Sequence, residues 1–539
     1  MGPSQTKPSL RQQKLSGLNT KVWCYLLRGY VDKDFVINGL NGGFDLGYKG
    51  DASSTSANNS LSVNLNKEAA RIKISSELKA GRIAGPFKLK PFSPFKCSPL
   101  SLREKSIPGH FRLLHDLSAP HDFRAVNINI PDSEAKVSYA NVKDAVRIIN
   151  KFNGAYMAKG DIKDAYRQVP LSPASYWLVG FKLDGLYYHD LRLPMGARSS
   201  CAIFERVSDS LVYILKSVYN VKYIVKLLDD FLFIGDTKES CQYALDSFQH
   251  LCNWLNIPLA EDKTVQPTQI IVFLGIELNT VKNEASVPEE KVISYARDVA
   301  ALSKKHSCQL RELRSVIGKL SFCTCIIRAG RCFLRRLHDA VRGAQQPSRW
   351  IKVSEAMRAD LQLWLRFLQG FNGKALLSFD QRHFTTPLIM ATDASLSGYG
   401  AHMGPHYFSG LFPKGWELLS IEALEMYAVL AAMLDFVGDL CNVDVTVLCD
   451  NLPLVHCLNK STSANKAVMI FLRPFVLHTL THNIRVSVNH ISSEDNFISD
   501  CLSRQQVAKA LAAMPVKDQS PTPIPTHILP KNWKIASIL

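Results

Sequence analysis

The sequence predicts a multidomain protein of the α+β and α/β classes. Short apolar runs alternate with helical stretches from Tyr156 to about Leu278, and a regular order of strands and helices follows from about residue 386. With 539 residues, 46% of them hydrophobic, the chain has enough material for several buried cores. This composition excludes a wholly disordered or collagen-like protein.

The charge balance points to a polyanionic partner. Lys and Arg number 64 against 47 Asp and Glu, a net charge of +17, and such an excess attracts nucleic acid without regard to its sequence. Thirteen cysteines without regular spacing indicate a reducing compartment rather than a disulfide framework. Because no apolar run is long enough for a membrane span and no secretory leader is recognisable, we expect an intracellular protein, cytoplasmic or nuclear, that is neither secreted nor bound to a membrane.

The first segment, residues 1–65, ends in the polar run DASSTSANNSLSVN at 51–64, whose small side chains predict a surface linker. A basic arm with strand character begins at residue 66 and continues into FRLLHDLS at 111–118.

Three aspartates at strand ends form the first acidic set. An apolar strand ends at Asp161, and YIVKLLDDFLFIG at 223–235 predicts two strands that meet in a hairpin turn at Asp229 and Asp230. Nucleotidyl transfer uses two divalent ions, and Mg²⁺ prefers carboxylate and phosphate oxygens. Each Asp alone would be read as a turn or cap residue, but the combination predicts a two-metal site.

The second half begins with a helical, strongly basic connector at 285–385. Strands and helices then follow in the order βββαβαβα through residues 386–506, and the Pro-rich tail at 507–539 is expected to be extended or disordered.

This second half carries four further carboxylates. Asp393 and Asp450 end strands, whereas Glu425 and Asp500 lie on helices. Their order along the chain predicts a second two-metal site at one sheet edge, with water as the nucleophile. Glu422 is an alternative to Glu425 because it lies three residues earlier on the same helix face.

The first acidic set and its surroundings resemble the palm motifs of reverse transcriptases. The resemblance implies a right-hand polymerase with fingers and palm at 66–284 and a thumb at 285–385, in which Asp161, Asp229 and Asp230 hold metal. The matching segments are Asp161-Ile162-Lys163-Asp164-Ala165-Tyr166, Leu193-Pro194-Met195-Gly196 with Ala202-Ile203-Phe204, Leu227-Leu228-Asp229-Asp230, and Phe273-Leu274-Gly275-Ile276.

The same resemblance implies roles for substrate-binding residues. Tyr166 would lie beneath the incoming sugar and exclude a 2′-hydroxyl, and the Gly196 motif would pack against the nascent base pair. Lys263 would lie near the triphosphate, and Phe273–Ile276 would be the primer grip. Arg112, in the fingers strand at 111–118, would contact the triphosphate. Lys105 is a weaker candidate, with a solvated loop lysine as its alternative reading.

Two positions depart from the family pattern. Leu227 stands where the paired-aspartate motif usually begins with Tyr, and Cys201 stands where the loop after Gly196 usually carries Pro. Neither change removes a metal ligand, so they bear on primer alignment and catalytic efficiency.

Residues 386–506 resemble ribonuclease H. The segments around Asp393, Glu425, Asp450 and Asp500 correspond to its four acidic motifs, and His490 resembles the histidine that assists product departure. A hydrogen-bonded loop histidine is the alternative reading of His490.

The resemblance therefore implies an RNA-directed DNA polymerase joined to a ribonuclease H. It implies two Mg²⁺ ions per active site, with Mn²⁺ as an alternative, and as partners an RNA template, a DNA primer, an RNA/DNA hybrid and deoxynucleoside triphosphates. Further segments, such as HDLSAP at 115–120 and ISDCLSR at 498–504, resemble DIRS-like retrotransposons, which encode a tyrosine recombinase. Neither a recombinase nor a protease motif is expected in this chain. A degenerate nucleic-acid-binding relic, favoured by Leu227 and Cys201, and a host structural protein are the competing hypotheses.

Overall fold

The computed structural model describes residues 17–104, 109–370, 375–376, 387–441, 443–482 and 484–533. Lys105 lies outside these ranges. The chain divides into two compact units, one of residues 1–274 and 278–282 and the other of residues 275–277 and 283–539. None of the helices in the described ranges is both long and apolar enough to cross a membrane.

Within its described residues, the first unit combines eight α-helices with twelve strands. The helices are α1 Thr20–Leu26, α2 Lys33–Gly42, α3 Leu61–Leu65, α4 Lys67–Lys79, α5 Asp132–Ala135, α6 Val142–Ile149, α7 Ser200–Ser217 and α8 Lys238–Leu255. The strands are β1 Thr55–Ser56, β2 Ile83–Phe87, β3 Lys96–Cys97, β4 Leu100–Glu104, β5 Phe111–His115, β6 Tyr156–Asp161, β7 Gly180–Leu183, β8 Leu186–Asp190, β9 Ile224–Leu227, β10 Asp230–Gly235, β11 Val265–Thr268 and β12 Ile270–Phe273.

A four-stranded sheet of order β11-β6-β10-β9, which we call the palm sheet, positions the first acidic set. Strands β9 and β10 form the predicted hairpin, with Asp230 opposite Leu227 and Leu228 in the left-handed conformation at φ 55°. Side chains alternate across a strand, so Phe231 and Phe233 point to one face, where both rings pack against Phe248 of α8. Asp230 therefore points away from this aromatic core.

The structure of the N-terminal segment, residues 1–65, differs from the sequence prediction, in which this segment ends in a surface linker. Trp23 of α1 and Leu40 of α2 are completely buried or nearly so, in the same hydrophobic core as α7, α8 and the palm sheet. The polar run at 51–64 also has a defined structure, because β1 pairs with β3 and Val63 of α3 is fully buried. Backbone pairing fixes this run although its side chains are small and polar.

Among the residues of the second unit that the structure describes, there are nine α-helices and most of the remaining strands, with β13 at the boundary between the units. The helices are α9 Glu289–Ser303, α10 Leu310–Cys323, α11 Arg335–Val341, α12 Glu355–Gly370, α13 Ile421–Ala432, α14 Leu452–Lys460, α15 Lys466–Thr481, α16 Phe497–Ser503 and α17 Val507–Ala513. The strands are β13 Ile276–Asn279, β14 Glu284–Ser286, β15 Ser307–Gln309, β16 Trp350–Lys352, β17 Ala375–Leu376, β18 Leu388–Ala394, β19 Gly398–Met403, β20 His406–Leu411, β21 Asp444–Cys449 and β22 Arg485–His490.

A five-stranded sheet of order β20-β19-β18-β21-β22 organises the second acidic set. Strands β18, β21 and β22 run parallel, whereas β19 and β20 are antiparallel additions at one side. Helix α13 is buried from Ala423 to Ala432, as expected for a crossover helix that covers a sheet. The observed order contains the predicted βββαβαβα pattern, with two helices, α14 and α15, in place of one.

The C-terminal tail also differs from the prediction of an extended or disordered segment. It forms α17 and two short 3-10 helices, Thr526–Ile528 and Pro530–Asn532. Ile528 is 3% exposed, and its carbonyl oxygen accepts a hydrogen bond of 2.9 Å from the Tyr427 hydroxyl. Ile528, between Pro525 and Pro530, is buried against the rest of the unit, which composition alone does not indicate.

Candidate active sites

The first acidic set converges at the end of the palm sheet. Asp161 at the end of β6 is the register partner of Asp230 at the start of β10, and Asp229 lies in the hairpin turn beside them. The amide of Ile162 donates a hydrogen bond of 3.1 Å to the carbonyl oxygen of Asp229, which ties the turn to β6. The structure therefore brings together all three predicted aspartates.

Burial makes this cluster electrostatically costly. Burial raises the pKa of both Asp229 and Asp230, and the negative charge of Asp161 adds to the rise in each. Lys159 lies 3.1 Å from Asp230 Oδ2, while Asp230 Oδ1 is buried without a hydrogen-bond partner among the described residues.

Lys263 contacts the cluster directly. Its Nζ donates hydrogen bonds of 3.0 and 3.2 Å to the two carboxylate oxygens of Asp161. Burial alone would lower the pKa of Lys263, but the hydrogen bond to Asp161 and the charges of Asp161 and Asp229 raise it. The ammonium group thus occupies a position of strong negative potential. Its side chain is 56% exposed, so it lies at the mouth of the cluster.

The donor set fits a hard divalent ion. All three acidic side chains offer only oxygen, one of these oxygens is buried without a partner, and the local charge remains negative beside Lys159 and Lys263. These features suit Mg²⁺ better than a thiolate-seeking or imidazole-seeking metal.

Tyr166 lies in a 3-10 helix, Ala165–Gln168, that follows the first aspartate. Its ring lies 5.2 Å from the ring of Phe204, and its hydroxyl lies 3.2 Å from the sulfur of Cys201. Burial, and then the contact with Cys201, raises the pKa of Tyr166, which stays a neutral phenol. Cys201, one of the two departures from the family pattern, is therefore a direct neighbour of the predicted sugar-contacting residue.

Gly196 is required by close backbone approach. A Cβ at this position would lie 1.9 Å from the carbonyl oxygen of His115. The carbonyl oxygen of Gly196 accepts a hydrogen bond of 2.9 Å from Asn127.

Arg112 lies on the β4–β5 ribbon. It is exposed on β5, opposite Arg103, and forms no ion pair within the described part of the chain. Its exposed guanidinium can therefore meet an anion.

Sequence reasoning missed an ionic network beneath the hairpin. Lys226 of β9 is only 6% exposed and lies 2.6 Å from Glu205 and 2.9 Å from Asp209, both on α7. The second Glu205 oxygen accepts a hydrogen bond of 3.2 Å from the amide of Leu228. A charged residue inside the apolar strand YIVKLL was the available signal.

The second acidic set lies at the carboxyl ends of β18 and β21. The parallel register runs to Ala391 opposite Leu448, so Asp393 and Asp450, each two residues further on, end neighbouring strands. One ligand atom each of Glu425, Cys449 and Asp450 lie within 4.8 Å of one another. Glu425, rather than the more exposed Glu422, faces this sheet edge.

Burial again dominates the electrostatics. Burial, and then the charges of Asp393 and Asp450, raises the pKa of Glu425 to about 7. Burial also raises the pKa of Asp393, with contributions from Asp450 and Asp500. The charges of the four predicted carboxylates therefore act on one another and raise the pKa values of Asp393 and Glu425.

Cys449 is a neighbour of the cluster rather than a thiolate ligand. Burial and then the charge of Glu425 raise the pKa of its thiol, which stays protonated and lies 3.5 Å from Glu425 Oε2. The remaining donors are carboxylate oxygens, so this site also fits Mg²⁺.

His490 ends β22 next to the third acidic residue. Its Nε2 lies 3.1 Å from the carbonyl oxygen of Asp450. Since a carbonyl only accepts, Nε2 carries the proton in this contact.

Sequence reasoning did not assign three neighbours that hold these carboxylates in place. Asn451 donates to Glu425 at 3.1 Å, Ser493 donates to Asp450 at 2.8 Å, and Arg504 donates to Asp500 at 2.7 Å. Of the three, Asn451 could have been found most readily from the sequence, because it directly follows Asp450.

Comparison with known proteins agrees with this architecture. Residues 107–278 match the family described as reverse transcriptase (RNA-dependent DNA polymerase). The retrovirus-related Pol polyprotein from transposon gypsy of Drosophila melanogaster is 22% identical over 416 residues, which are 74% of this chain and 37% of that protein. The Pro-Pol polyprotein of Simian foamy virus type 1 is 24% identical over 279 residues, 52% of this chain and 22% of that protein. This chain therefore spans well under half the length of these relatives.

A solved structure shares the fold. The foamy viral protease-reverse transcriptase dRH in complex with ds DNA superimposes with a TM-score of 0.50 at 16% identity, covering 91% of this chain and 84% of that chain. The mixed helix-and-sheet, multidomain architecture is consistent with a polymerase fold followed by a ribonuclease H-like domain. The chain thus contains a reverse transcriptase domain and has homologues among the Pol polyproteins of retroviruses and the gypsy transposon.

Proposed function

We propose that this chain is an RNA-directed DNA polymerase of a retroelement with a C-terminal ribonuclease H. The convergence of Asp161, Asp229 and Asp230 around a buried, unpartnered carboxylate oxygen carries the proposal. Additional positive charge nearby, such as that of a divalent ion, would stabilise the ionised form of this cluster. Its position in a domain matched to reverse transcriptases supports a nucleotidyl-transfer role.

Each residue of the first site then has a task. Asp161, Asp229 and Asp230 would hold two Mg²⁺ ions, or Mn²⁺, and these ions would activate the primer hydroxyl and stabilise the leaving pyrophosphate. Lys263 contacts Asp161 and is 56% exposed, so its ammonium group would meet the triphosphate. Arg112 and Lys105 would reach the same anion from the fingers. In this proposal the partners are an RNA template, a DNA primer and deoxynucleoside triphosphates.

The second site would hydrolyse the RNA strand of the RNA/DNA hybrid that the first site makes. Asp393, Glu425, Asp450 and Asp500 would hold two further ions, which supply a polarised water as nucleophile. His490, whose Nε2 lies 3.1 Å from the carbonyl oxygen of Asp450, would assist the departure of the product.

We further infer that the chain derives from a DIRS-like element, a class of retrotransposon that encodes a tyrosine recombinase. Support comes from the motifs HDLSAP and ISDCLSR. All thirteen cysteines are free in the structure, which supports an intracellular, cytoplasmic or nuclear setting.

Asp229→Asn tests the proposal. The change removes a metal-binding charge at constant volume, so primer extension on an RNA template with Mg²⁺ should fall at least about 1000-fold while duplex affinity stays within about twofold. Asp246→Asn is the matched control, because Asp246 is exposed on α8 and the charge change is identical.

Two results would count against the proposal. Retained extension by the Asp229→Asn variant would remove the assignment of the metal site. A wild-type chain that binds duplex but never incorporates nucleotide, with either Mg²⁺ or Mn²⁺, would favour the degenerate relic.

A further inference from the structure

A cavity of about 520 Å³ lies in the second unit, between α11, the segment from β16 to α12 and the start of α15. It contains none of the carboxylates of either acidic set. Five cationic side chains line it, against one carboxylate, that of Asp339. The cations are Arg335, Arg336, Lys352, Lys466 and Arg473.

The arginines around this cavity are only partly neutralised. Arg335 pairs with Asp339 at 3.1 Å, whereas Arg336 and Arg473 share the single buried carboxylate of Asp360. Burial, and then the neighbouring charge of Arg336, lowers the pKa of Arg473 to about 10. Five cations against the carboxylates of Asp339 and Asp360 leave a net charge of +3 around the cavity.

The two lysines carry the free charge. Lys352 and Lys466 are exposed and form no ion pair within the described ranges. Lys466 is the first residue of α15, a helix of 16 residues, so the positive end of the helix dipole adds to the field at this rim. The arrangement suits several negative charges rather than one.

The floor of the cavity indicates what else the ligand presents. Met357, Met469 and Ile470 contribute apolar surface, and no aromatic ring belongs to the described lining. Bases of single strands are commonly held by stacking on aromatic rings. A ligand seated here is therefore recognised through phosphate and sugar, not through a base.

We propose that this cavity binds consecutive backbone phosphates of a nucleic-acid strand, as a site in the second unit that holds the RNA/DNA hybrid through residues outside both acidic sets. The inference deepens the proposed function, since it takes the hybrid as ligand. It makes hybrid affinity depend on Lys352 and Lys466 without regard to base sequence.

The test compares two double variants of the full chain. Lys352→Gln/Lys466→Gln removes the free charge of the cavity. Lys414→Gln/Lys531→Gln is the matched control, because both control lysines are exposed in the same unit and lie outside the cavity. Affinity for a fluorescent RNA/DNA hybrid is measured without divalent ions at several salt concentrations.

The cavity variant should lose about 1.8 from the slope of log Kd against log salt, since each phosphate contact contributes about 0.9. Between 50 and 200 mM salt its Kd should therefore rise about 12-fold less than that of the wild type. The control variant should keep the wild-type slope. Unchanged thermal unfolding of both variants shows that the fold is retained.

Two outcomes would overturn the inference. One is a cavity variant whose salt slope equals that of the control. The other is saturable binding of inorganic pyrophosphate that the cavity variant loses while its hybrid affinity is unchanged, which would assign the cavity to a small free anion. Because the readout is binding without catalysis, a chain that fails primer extension can still satisfy this test, and the two proposals fail separately.

Discussion

At the scale of single residues, the side chain of Tyr166 is held in place by two neighbouring side chains. Its ring packs against Phe204, and its hydroxyl is held at the sulfur of Cys201. Two contacts from α7 therefore fix the ring, although Cys201 stands where the family pattern has Pro. In its proposed role, the fixed ring would exclude a nucleotide that carries a 2′-hydroxyl because the ring occupies the space that the hydroxyl needs. No hydrogen bond would have to be lost.

Tyr166→Val should raise the incorporation of ribonucleotides relative to deoxyribonucleotides by roughly 10- to 100-fold, the range expected for a steric contact. Competitive primer extension with the two nucleotide types measures this ratio. Tyr166→Phe is the control, since it keeps the ring and loses only the contact with Cys201, and its ratio should remain that of the wild type. An unchanged ratio in an active Val variant would make Tyr166 a packing residue.

Asp435 couples stability to pH. It lies in the π-helical turn Met433–Val437, with one carboxylate oxygen buried and unpartnered among the described residues. Burial raises its pKa from 3.8 to about 6, opposed by the neighbouring His406. The folded form therefore binds the proton more tightly than the unfolded form. Its stabilising contribution is complete below about pH 4 and is lost as the pH rises through about 6.

Asp435→Asn should remove this dependence, so that the Tm of the variant increases relative to the wild type between pH 4 and pH 7. Thermal unfolding at four pH values measures the difference. Repeating the comparison in a His406→Gln background removes the titration of the facing histidine. Parallel curves for the wild type and the variant would contradict the prediction.

At the scale of elements, the β9–β10 hairpin is supported from below by α7. Glu205 joins Lys226 of β9 to the amide of Leu228, the left-handed residue directly before Asp229. Glu205 touches no reacting atom in the proposed reaction, so it is a positioning residue. Its carboxylate sets where the turn, and hence Asp229, lies relative to Asp161.

Glu205→Gln should raise the Mg²⁺ concentration needed for half-maximal primer extension several-fold. The change removes the negative charge that pairs with Lys226, while a side-chain oxygen that can accept from the Leu228 amide is kept. A Mg²⁺ titration at saturating nucleotide measures this shift. Asp209→Asn is the matched control, since Asp209 also contacts Lys226 but forms no hydrogen bond to the turn within the described part of the chain. Equal shifts in both variants would indicate loss of the Lys226 ion pair rather than a displaced turn.

The tail is an integral element of the second unit. The ring of Trp533 lies 5.0 Å from that of Phe471 on α15, and its indole nitrogen donates to the carbonyl oxygen of Ile528. Ile528→Ala should cost about 2–4 kcal/mol of unfolding free energy, as expected for a buried aliphatic side chain. Hydrogen exchange of α13 and α15 in increasing urea measures the loss.

Val516→Ala is the control for the tail. Val516 is 68% exposed in the same segment, and its truncation should change stability by less than about 0.5 kcal/mol. If Ile528→Ala were equally silent, the tail would not contribute to the core of this unit.

At the scale of the whole molecule, the two acidic sets lie in separate compact units with separate ligands. Asp450→Asn should therefore stop cleavage of RNA in a hybrid while primer extension continues, which leaves a full-length template. Gel analysis of both strands in one reaction measures the two activities. Asp495→Asn is the control, because Asp495 is exposed and only caps the loop through Ser492. A parallel loss of extension in a well-folded variant would mean that the sites are not independent.

Local patterns in the sequence determined the elements that carry the acidic residues. The apolar run before Asp161 and the run around Asp229 and Asp230 each predict a strand that ends in a carboxylate, and the strands ending at Asp393 and Asp450 follow the same pattern. Strand ends were readable because side chains alternate with period two and turns follow directly. The hairpin is confirmed by the structure, and so is the order of strands and helices along the second half of the chain, with α14 and α15 in place of one helix.

Only the tertiary structure decided which distant side chains meet. It placed α1 and α2 in the palm core, buried Ile528 of the Pro-rich tail, brought Glu205 to Leu228, and placed Glu425 at the sheet edge. Periodicity encodes which face of an element is apolar, but not which partner covers that face. The partner depends on the simultaneous packing of segments far apart in the chain, and that packing sets the burial and the charge of both candidate sites.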